Sequence, residues 1–365
     1  SQDTALLILR NYLPYSELQR DITNSNPQSP RICGSRIMAL PELTVSATGA
    51  LGECLYSAMN ALALSITAYK TGRNLLQHIA SRYEHTLRLL RKDLQLAGSV
   101  YRNEQVAAVM CLALLEALSP IDPHSWLVHV DGASELIQSS SPDAFSTGIQ
   151  HTLFVGFRPL LILKAFILRK ATVFANEDWV EKPFQHHQAA PVQSLLGLAA
   201  NIPAILEKFD ALKDESSDTA ILAAHERLAE LVKSRADLET WGCSFIAESS
   251  VPLYWRRTTE EAIECHNDLL WFQDLTIANV FTHLWSFQII CLSHIHSLLA
   301  QFPELEQSDV AIWENTAGLR SACVELSIQV FQSMEYLLQE EFMICGLSSA
   351  GFPMQAACKA LELDA

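Results

Sequence analysis

The run NEQVAAVMCLALLEAL, residues 103–118, is apolar on nearly every side of a helical wheel. A surface helix keeps a polar face; a helix without one must be covered on most sides by other helices. That requirement predicts helices packed around a large interior. Of the 365 residues, 49% are hydrophobic and 18% charged, below the roughly 25% charged of ordinary soluble domains. So much apolar chain calls for extensive burial, or for apolar surface kept for a partner.

Three- and four-residue spacing of apolar side chains continues along most of the chain. TALLILRNYLPYSELQR starts as a helix that Pro14 interrupts, and TNSNPQSPRICGSR reads as a loop. Residues 41–72 read as one long helix, with Pro41 at its start and Gly72 at its end. Leu75, Ile79, Leu87, Leu90 and Leu94 stripe the next helix, which ends at Gly98; it pairs as a hairpin with 103–118, capped by Asn103. Residues 124–140 and 148–172 form a second hairpin. ANEDWVEKPFQHHQAAP (175–191) reads as an ordered loop. The expected halves are 1–174 and 194–365, joined by 175–193 within one continuous domain. In the second half, helices cover the stretches after 194 and after 218, and two long ones cover 260–300 and 308–341. ESSVPLYWRRTTEE reads as a polar loop, and GLSSAGFPMQAACKALEL as a Gly/Ser turn with a short helix. No strand is expected; SFIAE (244–248) comes nearest. The predicted fold class is all-α, an irregular solenoid-like stack of antiparallel helical hairpins with roughly a dozen helices.

Net charge is −16, and a surface this acidic repels phosphate backbones, so no direct nucleic-acid binding is expected. The nearest basic cluster, Arg88, Arg91 and Lys92, reads as one solvated helix face. Nine cysteines are scattered with no C-x-x-C, which argues against structural zinc. The apolar neighbours of Cys54, Cys111 and Cys291 predict reduced, buried thiols of an intracellular protein. No signal-peptide pattern is read at the start. The most apolar stretch, 153–168, contains Arg158, Pro159 and Lys164 and is expected to be a core helix, not a membrane span.

The motif question centres on HSWLVHVDGASELIQ (124–138), where Asp122 suits a cap and Pro123 a first turn. Trp126, His129, Ala133 and Leu136 share one helical stripe, with Gly132 at its edge. His129 as a reaction centre competes with His129 as a hydrogen-bonder inside a close helix contact, and packing is the simpler reading. In ANVFTHLWSFQIICLSHIHSLL (278–299), His283 and His294 are eleven residues apart and return to nearly the same face. Asn279, Phe287 and Ile290 lie on or near that face. With His129, the residues Asn279, His283, Phe287 and His294 make a candidate small-molecule pocket; the plainer alternative is a set of core histidines. His294 and His296 diverge, and His186 and His187 are adjacent, so neither pair clamps a metal. Glu261, Cys265, His266 and Asp268 suggest a nucleophile set, but consecutive Cys and His diverge on a helix. No nucleophile elbow, phosphate loop or H-E-x-x-H occurs. No catalytic residue, metal or cofactor is assigned.

Taken in order, several of these segments resemble a known family. W-x-x-H-x-x-G-A followed by ELI, carried by Trp126, His129, Gly132 and Ala133, looks like the signature of the fungal-specific transcription factor domain. NEQVAAVMCLALLE resembles the apolar helix before that signature. FANEDWVEKPF, with Trp179 and Pro183, resembles its Trp-then-Pro loop, and LLGLAANIPAILEKFDAL the helix that follows. GFPMQAACKAL, with Phe352 and Pro353, is similar to the C-terminal Phe-Pro segment. The resemblance covers roughly residues 40 to 361. It implies a helical regulatory or effector domain of the nucleus that binds a small molecule, a protein partner or a second copy of itself, with no membrane contact. The family's zinc cluster needs six closely spaced cysteines and a basic linker, and this sequence contains neither. Either the DNA-binding part lies outside these residues, or this is a stand-alone relative. The latter opens an alternative: a cytoplasmic enzyme of fungal secondary metabolism that reuses the fold and guides cyclisation or isomerisation of an apolar intermediate in a buried pocket. His129, Asn279, His283 and His294 would then be the residues to test. A plain interaction scaffold is the third reading.

Overall fold

Gly49 has φ +63°, a left-handed conformation open to glycine at little cost, and there the expected long helix over 41–72 breaks. The result is two helices, α2 (Leu40–Ser46) and α3 (Gly49–Thr71), preceded by α1 (Gln2–Tyr12). Gly72, at φ +64°, follows the last residue of α3 as the sequence predicts. The structure is a computed structural model that describes residues 2–14, 35–47, 49–97, 101–119, 125–212, 217–257, 268–307 and 316–362. Of these residues, 84% are helical, and thirteen helices are seven or more residues long. The fold class is all-α. It divides into two compact units, Ser1–Lys164 with Asn176–Ala190, and Ala165–Ala175 with Pro191–Ala365.

In the first unit, α3 is followed by α4 (Leu76–Ala97), α5 (Asn103–Leu118), α6 (Ser125–Gln138) and α7 (Gly148–Leu168). α4 and α5 each pack more extensively on α3 than on each other, so the hairpin expected from them is not their main contact. The reason is on α3: Ala58, Ala61 and Ser65 are fully covered and let two helices approach. α5 is buried from Gln105 to Glu116, as its apolar wheel demands, and also packs on α6. Its cap is Arg102, in extended backbone; Asn103 is the first helical residue, one position from the expected cap. The cap expected at Asp122 and Pro123 lies outside the described residues.

Segment 176–190 does not link two halves. Trp179 packs against Phe145 and Phe154, with ring centroids 5.6 and 5.7 Å apart, and this draws the segment into the first unit. The division instead falls inside α7, between Lys164 and Ala165. Arg158 on α7 is fully buried, with its guanidinium 5.5 Å from the Phe184 ring, and burial lowers its pKa to about 10.

The second unit contains α8 (Pro191–Ala199), α9 (Ile202–Ala211), α10 (Ser217–Ala247), strands β1 (Tyr254–Arg257) and β2 (Leu269–Phe272), α11 (Leu275–Gln301), α12 (Thr316–Gln332) and α13 (Met343–Glu362). α11 is its central helix, packed by α8, α10, α12 and α13. Its start is fixed by Asp274, whose Oδ1 accepts the Ile277 N–H at 2.9 Å. The long helix begins at 275, not 260, because the residues before it pair as an antiparallel ribbon with Trp255 opposite Trp271. The predicted loop ESSVPLYWRRTTEE therefore supplies a strand, while SFIAE ends a helix. The helix expected over 308–341 is described from 316 and stops at Gln332. The expected Gly/Ser turn at 346–351 is helical. A Cβ on Gly346 would lie 2.1 Å from the Leu337 carbonyl oxygen, so glycine lets the chain cross here.

Among the described residues, two helices, Gly148–Leu168 and Leu275–Gln301, are long and apolar enough to cross a membrane by length and composition. In this fold 67% and 83% of their most apolar windows are buried.

Candidate functional site

The first unit contains the Trp-His-Gly-Ala row. His129, on α6, points Nε2 at the Tyr83 hydroxyl of α4, 2.8 Å away. Glu116 on α5 lies near the Tyr83 hydroxyl and accepts from Ser125 at 2.6 Å. Burial, then Glu116, keep the phenol neutral by raising its pKa. Burial lowers the pKa of His129, partly opposed by Glu116. One imidazole thus ties α6 to α4 beside a buried carboxylate on α5. Ala133 and Leu136 are buried, and Trp126 is half-buried. Gly132 does not mark the closest approach in this row: a Cβ there would meet only Val109 Cγ1 at 4.0 Å. Trp179 and Pro183 are buried in short helical turns in the same unit.

Of the expected pocket, His129 belongs to the first unit and the other four residues to the second. Asn279, His283 and Phe287 are buried core residues of α11. His283 donates from Nδ1 to the Asn279 carbonyl at 2.8 Å and stacks on Phe352, with centroids 5.9 Å apart and planes 12° apart. Burial pushes its pKa down to about 4, with the Asn279 hydrogen bond opposing. Phe287 lies 4.9 Å from Phe166, centroid to centroid. None of these three side chains lines the cavity that His294 faces; they pack the helix that forms part of its wall.

The cavity itself, of about 340 Å³, lies in the second unit against α7, α9, α11 and α13. Its apolar wall comes from Phe166, Leu206, Ile289, Ile290 and Phe352. Of the residues named in the sequence for a pocket face or a motif, Ile290, His294 and Phe352 line it. Pro353, next to Phe352, is buried within α13. Its polar lining residues are His294, Ser293, Gln355, Arg169, Lys359 and Glu362.

Arg169 is the organising residue. It follows the last residue of α7 with φ +53°, a conformation that costs a side-chain-bearing residue about 1 kcal/mol or more. The Lys170 N–H bonds back to the Ala165 carbonyl and closes the helix end. The guanidinium then grips Asp210 through two bonds, 2.6 and 2.7 Å, and gives a third to His294 Nε2 at 2.7 Å. Next to it, Glu207 accepts from the Ala171 N–H at 2.8 Å and from Lys170 at 3.1 Å, and its pKa falls with those bonds. His294 donates Nδ1–H to the Ile290 carbonyl at 2.7 Å, so Nε2 is the acceptor. Burial first, then Arg169 and Lys359, push its pKa to about 4 against the pull of Ile290 and Asp210. At neutral pH the imidazole is uncharged.

Sequence reasoning missed Arg169 and Lys359. The only signal for Arg169 was its place at the end of the apolar run 153–168, which reads as an ordinary basic helix terminus. Cys54, Cys111 and Cys291 are buried, and burial raises the pKa of Cys54 and Cys291 to about 12. Among the described residues, no three His, Cys, Asp or Glu side chains converge as metal ligands do. Glu261, Cys265 and His266 lie outside those residues. Compared with protein-family profiles, with curated proteins and with solved structures, the chain matches none.

Proposed function

We propose that this chain is a helical regulatory domain of the kind found in fungal transcription regulators, with the cavity of the second unit as its effector site. The observation that carries the reading is the cavity's make-up: apolar walls, a few convergent polar groups, and a strained arginine held in place at its edge. Its volume lies in the range of small-molecule sites, roughly 300–1,000 Å³. The family resemblance in the sequence supports the regulatory role, and the net charge of −16 fits a module that leaves DNA contact to another part of the regulator.

The reading is tested by tethering the chain to an unrelated DNA-binding domain that drives a reporter. Ala356→Phe, which fills the cavity, should change reporter output and remove its response to fungal metabolite extract. Output that is the same in both proteins, with and without extract, contradicts the proposal. So does tight DNA binding by the purified chain alone at physiological salt.

A further inference from the structure

A guanidinium has five N–H donors. Arg169 places two on Asp210 and one on His294, which leaves one N–H on each terminal nitrogen. Those two donors belong to a group already immobilised by three hydrogen bonds and by the helix end behind it, so little side-chain freedom remains to be lost on binding. Asp210 cancels the charge of Arg169. A second cation, Lys359, lines the same cavity, and among the described residues no carboxylate pairs with it. Both cations line the cavity beside His294, and both lower the pKa of its imidazole. His294 has no donor to offer, since Nδ1–H serves Ile290 and Nε2 accepts from Arg169. The one carboxylate of the lining, Glu362, lies three residues beyond Lys359 on α13 and disfavours an anion at that end. The apolar part of the lining includes two aromatic rings, Phe166 and Phe352, and Ile290.

We propose that the cavity takes a small organic monocarboxylate with a flat, apolar, preferably aromatic body. Its carboxylate sits against the free N–H groups of Arg169 and the Lys359 ammonium, and its body lies against Phe166, Phe352 and Ile290. This inference rests on the reading of the cavity as the effector site and adds the chemical class of the effector.

The probes are 2-naphthoate and its uncharged counterpart 2-naphthamide, titrated calorimetrically into the full chain. The naphthoate should bind roughly tenfold or more tightly than the amide, the advantage of charge-assisted hydrogen bonds. Lys359→Gln, at an exposed position that should not disturb folding, should bring the two probes to within about threefold. Arg169→Gln should abolish the preference. Ala356→Phe should block both probes, with Ala360→Leu as a second filling variant should the first melt early. Equal affinity of the two probes for the natural chain, both blocked by the filling variants, overturns the carboxylate assignment and leaves the effector-site reading standing. Naphthoate binding that survives filling overturns its placement here. Binding of neither probe overturns both the assignment and the reading beneath it.

Discussion

Replacing His283 with asparagine removes one titrating group from the core of the second unit. An asparagine Nδ2 occupies much the same place as the imidazole Nδ1, so the hydrogen bond to the Asn279 carbonyl can persist. In the folded chain His283 is 6% exposed and titrates near pH 4, against 6.5 for a free imidazole. The folded pKa is lowered, so the contribution is fully present above about pH 6.5 and is lost as pH falls through that value toward 4. At pH 5.0 an unfolded chain takes up a proton at this position and the folded chain largely refuses it. Linkage puts the loss between pH 7.5 and 5.0 at about 2 kcal/mol, rising to about 3 below pH 4. His294, whose pKa is likewise pushed down to about 4, acts in the same direction. The assay is urea denaturation at 25 °C, followed by circular dichroism, at four pH values from 7.5 to 5.0. The variant should be less stable at pH 7.5, through the lost stack on Phe352, by about 1–2 kcal/mol. Its stability should fall less steeply with acid, so that the curves meet near pH 5. Contributions from all other groups are common to both proteins and cancel. Parallel curves over the whole range would refute the buried, neutral imidazole.

Four further outcomes follow from single positions. Tyr83→Phe removes the hydroxyl bonded to His129 and should cost about 1–2 kcal/mol in urea denaturation; a change of under 0.5 would show that the row's imidazole is not structurally tied. Gly132→Ala should stabilise by roughly 0.5–1 kcal/mol, because the new methyl meets nothing closer than Val109 and the helix gains a better former. Gly346→Ala should destabilise by about 3 kcal/mol or more, because the methyl would collide with the Leu337 carbonyl, and a neutral result would mean the chains do not cross there. At position 169, glycine should exceed alanine in thermal stability by about 1 kcal/mol, the reverse of the order in a helix interior, because both lose the Asp210 grip and only glycine sheds the positive-φ strain.

The sequence alone determined the fold class and the covering of its apolar helices. An all-round apolar wheel such as 103–118 has one physical solution, and 3.6-residue periodicity survives without knowledge of neighbours. Gly72 marked a helix end for the same local reason. The ribbon of 254–257 and 269–272 was invisible because Leu-Leu-Trp-Phe has no polar alternation, and four residues are too few to separate a strand from a helix turn. The histidines of α11 were correctly assigned to one helix, but which of them faces a cavity depends on what packs against that helix. Phe352 covers His283, and Arg169 meets His294. The arginine itself illustrates the limit most sharply. Its backbone strain, its grip on a carboxylate 41 residues away and its bond to an imidazole 125 residues away are all set by tertiary contacts, and no local pattern encodes them. Periodicity is a property of neighbours along the chain; a binding site is a property of neighbours in space, and only packing brings those together.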